Sequence, residues 1–179
     1  MIVGFLLFSF AFGAADQYLG SLSAHPWATD VSLLAAPWLL LPFAAGYTQR
    51  TARGACLLAT LCVFVALAGF IAMTLSPTEH AKYSLTGLMG LVGGQARWFV
   101  FGAATAPVFG WLGYRWRTDR VLWAPVIAAA SLCLEPPART VIWPIHSPQV
   151  RWAEIGSGVV LLGVCASAWA YRRLAAQRR

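Results

Sequence analysis

The sequence predicts an all-α fold, a polytopic integral membrane helical bundle of six transmembrane helices with cytoplasmic N- and C-termini. Hydrophobic residues make up 59% of the 179 and charged residues only 11%, with a mean hydropathy of +0.66; a soluble domain carries about 25% charged residues. Six apolar stretches approach the roughly 20 residues that a helix needs to cross hydrocarbon. The basic residues gather in the short segments between them, as the positive-inside bias of membrane proteins requires.

The first stretch, Ile2 to Tyr18, ends in small residues, Gly13-Ala14-Ala15, that look like a signal-peptide cleavage site. No Lys or Arg precedes it, so the cationic n-region is missing and an uncleaved span is expected. Val31 to Tyr47 is the second stretch, and Ala55 to Leu75 the third and most uniformly apolar. Residues 83 to 94, YSLTGLMGLVGG, are apolar but too few to cross, which fits an interfacial or re-entrant piece or an outward extension of the next helix. Trp98 to Tyr114 is the fourth span. Val121 to Glu135 is the fifth, ending at Pro136-Pro137 because proline continues a helix poorly. Ala153 to Tyr171 is the sixth. All 179 residues therefore form a single transmembrane domain.

Alternate connections differ in charge. One side holds Arg50, Arg53, Arg115, Arg117, Arg120, Arg172, Arg173, Arg178 and Arg179, the other Lys82, Arg97, Arg139 and Arg151. The richer side is expected to face the cytoplasm. The net charge of +7 thus reports topology, and a nucleic-acid partner is not expected. Lys82 is the sole lysine, and with the abundant alanine this suggests a GC-rich bacterial genome.

GYTQRTAR, residues 46 to 53, returns as GYRWRTDR, residues 113 to 120, with Gly, Tyr, Arg, Thr and Arg in matching places. Identity does not continue beyond the loops, so the pair reads as two cytoplasmic anchors, with interfacial tyrosine and turn arginines, and Tyr171-Arg172-Arg173 as a third.

Charges near hydrocarbon are costly and mark function by default. Asp16 and Glu135 fall at helix C-termini and Arg97 at a helix N-terminus, each opposed by the local macrodipole. Mutual neutralisation resolves the conflict: Asp16 and Glu135 paired to Arg97, with Arg139 and Arg151 above them. Asp16, Arg97, Glu135 and Arg139 are accordingly the candidate ligand-binding residues of an outward-facing polar pocket; structural ion pairs or snorkelling side chains are the plainer alternative. Asp30 and Glu154 stand where they would cap helices two and six. His25, His80, His146 and Glu79 form no local ligand pair, and no metal or cofactor is expected. Cys56, Cys62, Cys133 and Cys165 lie in apolar runs and read as inert thiols. Small residues on helix one, Ser9 with Gly13 and Ala11 with Ala15, suit close helix packing or the docking of a membrane partner subunit.

At PWLLLPFAAGY (37 to 47), GAATAPVFGWLGY (102 to 114) and SLCLEPP (131 to 137) the chain resembles an uncharacterised family of small multi-pass actinobacterial membrane proteins, a domain of unknown function. The resemblance implies a six-helix bundle in a bacterial plasma membrane and transfers no site residues. Size and helix number are also similar to the substrate-capture subunits of energy-coupling-factor vitamin transporters, an architectural analogy. The leading expectation is a permease or transporter subunit that binds a small or lipidic molecule. A membrane enzyme acting on an isoprenoid or lipid, with Glu135 or Asp16 as general acid, and a scaffold subunit of a membrane complex are the rival classes.

Overall fold

The structure is a computed structural model that describes residues 2–76, 85–142 and 148–177, and within them all side chains but those of 138–142, 168 and 172–177. Eight helices follow one another among these residues: α1 Ile2–Ser21, α2 Pro26–Ser32, α3 Ala36–Tyr47, α4 Ala52–Thr74, α5 Leu85–Gly94, α6 Ala96–Asp119, α7 Trp123–Ile142 and α8 Pro148–Gln177. No strand occurs among them. By length and composition α1, α4 and the Pro148–Tyr171 part of α8 can each cross a membrane, and α2 with α3 makes a fourth candidate, broken by a 42° bend.

α4 is the axis. Its 23 residues, about 35 Å of helix, begin behind Thr51, whose hydroxyl accepts the Gly54 N–H at 3.1 Å. Three helices pack on it or around it through residues without side chains. α1 runs parallel to α4, because Ser9 meets Cys62, Gly13 meets Ala66 and Ala14 meets Gly69 in rising order. A Cβ on Gly13 would collide with the Ala66 backbone, and one on Gly69 with the Phe10 carbonyl. The small face of α1 that carries Ser9 and Gly13 is therefore spent on packing within the chain.

α6 runs antiparallel to α4, with Gly110 on Ala55 and Ala59 at one end and Gly102 on Val63 at the other. α3 lies parallel to α6. Trp38 near its start joins Trp98 and Phe99 on the Val63, Leu67 and Ala106 cluster, and Tyr47 at its end touches Trp116 with ring centroids 5.4 Å apart. α7 turns back along α6 through a cluster of Phe43, Phe109, Leu112, Ala124 and Ala128. α8 pairs antiparallel with α7, Gly158 seated against Ala129 and Cys133.

The exterior is apolar. Leu7, Phe8, Leu57, Val100, Trp152, Val159 and Val160 are each more than half exposed, a density that only lipid or another protein accommodates.

Three expected elements differ. The second span is not one helix from Val31 to Tyr47: Pro26 opens α2, α3 starts at Ala36 with Pro37 in its first turn, and the chain turns between them. α7 does not stop at Pro136-Pro137 but runs on to Ile142. Pro136 is fully buried, and packing on α8 holds a helix that has merely lost two N–H donors. Asp30 lies near the end of α2 and caps nothing there; His25 holds the N-cap position without a side-chain bond. The short apolar piece near 83 to 94 does form a helix, α5, followed after Gln95 by α6.

Candidate functional site

The break between α2 and α3 exposes the start of α3, where free N–H groups need acceptors. Ala35 occupies the N-cap position and has no side chain to offer one. Pro37 removes one donor from the account. The remaining acceptor comes from the other end of the sequence: Oε1 of Glu154 on α8 accepts the Ala35 N–H and, at 3.2 Å, the Ala36 N–H. Glu154 has 0% exposure and is, with Ser9, one of two buried polar side chains among the described residues. A carboxylate at the positive end of a helix combines charge-assisted hydrogen bonds with a favourable dipole, and low dielectric strengthens both.

Asp16 reaches the same turn of α3 from α1. Its Oδ2 accepts the Trp38 indole N–H at 3.3 Å, and Phe12 packs edge-on against the Trp38 ring at 5.1 Å. Two carboxylates from distant helices thus converge on the first turn of α3.

Glu154 was expected to cap its own helix. It stands instead in the second turn of α8, which starts at Pro148, and caps α3 across the bundle. The chemistry is as expected and the partner is not. A trace of this exists in the sequence, since Leu33-Leu34-Ala35 offers no capping side chain ahead of Ala36.

The other three candidates lie at this end of the bundle. Arg97 is exposed, its guanidinium 5.8 Å from the centroid of the adjacent Trp98, which shares a cluster with Trp38. Glu135 is half-buried on α7, level with the Glu154 turn because Cys133 Sγ lies 3.8 Å from the Ile155 carbonyl. Arg139 follows one turn later on α7, and its side chain lies outside the described residues. Asp16 is held at this end by the Trp38 indole N–H that its Oδ2 accepts. His80, Glu79 and His146 lie outside the described residues. No cluster of three or more metal-ligating side chains occurs among the described ones.

The opposite end is basic. Arg117 on α6 donates from Nη1 to the carbonyls of Tyr47 at 3.5 Å, Thr48 at 2.6 Å and Gln49 at 3.3 Å, closing the C-terminus of α3. Arg115 pairs with Asp119 at 2.8 Å and lies over the rings of Trp111 and Trp123 at 5.7 and 6.0 Å. The two similar stretches GYTQRTAR and GYRWRTDR are therefore partners in space: an arginine of the second holds the carbonyls of the first. Their leading glycines, Gly46 and Gly113, both lie where α3 crosses α6, and a Cβ on either would strike the other helix.

No family model, no curated protein and no solved structure matches the chain.

Proposed function

We propose that the chain is a six-span permease, or the ligand-binding subunit of one, that takes a small or lipidic molecule at the end of the bundle where Asp16 and Glu154 meet α3. The carrying observation is the broken second span whose open N-terminus is closed by a fully buried carboxylate. Irregular backbone at membrane depth is tolerated where it is enclosed by protein or lines a cavity, and discontinuous helices are the usual way transporters present backbone groups to a ligand. Arg97 supplies a cation for an anionic group on that ligand, and Glu135 and Arg139 on α7 complete the polar layer.

Three further observations support six spans with both termini in the cytoplasm. Helix directions alternate through α1, α3, α4, α6, α7 and α8, as successive crossings would. Arg50, Arg53, Arg115, Arg117 and Arg120 share the end opposite the carboxylates, in keeping with the positive-inside bias. α6 and α7, at 24 and 20 residues, are long enough to cross. A partner subunit would use the face of α1 bearing Ala11 and Ala15, which is exposed, since Ser9 and Gly13 are turned to α4.

Native mass spectrometry of the full chain, extracted gently from its own membrane, tests the reading. A bound small molecule or single lipid is expected on the parent and is expected to be reduced at least tenfold in the Asp16→Asn, Arg97→Gln double variant, with an unchanged elution profile in detergent. A parent carrying nothing, or a double variant carrying the same molecule in the same amount, overturns it.

A further inference from the structure

At the basic end, far from the carboxylates, an open groove of about 420 Å³ runs between α7 and α8, lined by Leu122, Val126, Leu162, Cys165, Ala166 and Trp169. The volume is within the range of small-molecule clefts, about 300 to 1,000 Å³, yet the walls offer almost nothing polar. Only an apolar stem can gain from filling it. Direction is fixed by the antiparallel register: Leu122 faces Trp169 at one end, and Val126 lies opposite Leu162 and Cys165 deeper along the pair. The Leu122 end opens at the α6–α7 turn, where Arg120 is exposed in a left-handed conformation, φ 53°, two residues before the groove begins. On the other wall α8 continues past Trp169 and carries Arg172 and Arg173 within its next turn. Arg120 thus stands at the mouth, across from a tryptophan of the kind that marks the headgroup level, with two more arginines in the helix turn that follows it.

An apolar trough that ends at cations has the charge pattern of one ligand class, an anionic amphiphile. We propose that this groove is a binding site for an anionic phospholipid of the surrounding membrane, one acyl chain lying between α7 and α8 and the phosphodiester headgroup set against Arg120. Neutral lipids share the chain but not the headgroup attraction, so the site is selective by charge. The site is independent of the ligand proposed at the carboxylate end, and its residues are not shared with that end.

The test uses the full chain reconstituted in vesicles of equal phosphatidylglycerol and phosphatidylcholine, extracted, partly delipidated and weighed by native mass spectrometry. The parent is expected to retain phosphatidylglycerol over phosphatidylcholine. Each arginine near an anionic surface adds about 1 kcal/mol, about fivefold. Arg120→Gln should therefore lower the preference about fivefold, and Arg120→Gln with Arg172→Gln and Arg173→Gln should abolish it while leaving some lipid of either kind bound. Ala166→Phe fills the groove and should reduce retention of both lipids; Val126→Phe repeats the test from the other wall should the first variant fail to fold. Val160→Phe, on the opposite exposed face of α8, should change nothing. Equal retention of the two lipids by the parent, unchanged preference in the triple arginine variant, or full retention in both groove-filled variants overturns the proposal. So does a dimer of the chain that Ala166→Phe dissociates, since a second copy would then be the occupant.

Discussion

The two ends of α3 are closed by opposite charges brought from different helices, and the contrast explains why a 12-residue helix stands in this bundle at all. Helices of this length are marginal on their own. At the N-terminus Glu154 accepts backbone N–H groups; at the C-terminus Arg117 donates to backbone carbonyls. Each charge is matched to the macrodipole end it meets. The difference is in setting. Glu154 is fully buried, whereas Arg117 is partly open to its surroundings, so water can replace the arginine but not the glutamate. Closure at the first end is obligatory, and closure at the second is an improvement.

Substitutions at the two ends should separate these roles, and unfolding of the chain in mixed detergent micelles is the measurement. Glu154→Leu should have the largest effect, about 3 kcal/mol, because two donors lose their acceptor where no water can substitute. Glu154→Gln keeps an amide oxygen and should lose roughly half as much. Equal losses for the two variants would show that the charge, not the acceptor, holds α3. Arg117→Ala should cost about 1.5 kcal/mol, from charge-assisted bonds that solvent partly restores. Arg117→Lys should recover only part of it, since the three carbonyls are all met at Nη1 and the shorter lysine side chain must bring its ammonium to that one point. A loss at Arg117 equal to that at Glu154 would erase the proposed asymmetry. Trp38→Phe should have the smallest effect, about 1 kcal/mol, by removing the indole N–H that Asp16 accepts while keeping the ring against Phe12. No change there would reduce Asp16 to a bystander of α3 and leave its role to the ligand.

Hydropathy made α4 legible almost to its ends, because a uniform apolar run has only one solution in a membrane. It made α2 and α3 legible as a single span and missed the break, since Leu33-Leu34-Ala35 is as apolar as a helix and the turn is recorded only by Pro37 behind it. Pro136-Pro137 misled in the other direction. Local rules end a helix there, but the packing of α7 on α8 carries it through. The candidate site was half legible. Asp16 was found through an expected conflict with the end of α1, but α1 runs five residues past it to Ser21, and what meets its carboxylate is the Trp38 indole. Glu154 was visible as a capping residue and attributed to the wrong helix, because sequence shows what lies within four residues and not what lies across a bundle. The matching loops were read as separate anchors; that Arg117 of one closes the helix ending in the other depends on the α3–α6 crossing, which only the fold supplies.

Glu154 is separated from Ala36 by 118 positions. During synthesis, α3 is made long before the side chain that completes it. Until α8 arrives the growing chain holds an unfinished helix start, with the Ala35 and Ala36 N–H groups still to be met. α8 is therefore the helix that completes α3, and a chain stalled before it would expose the open start of a helix made more than a hundred residues earlier.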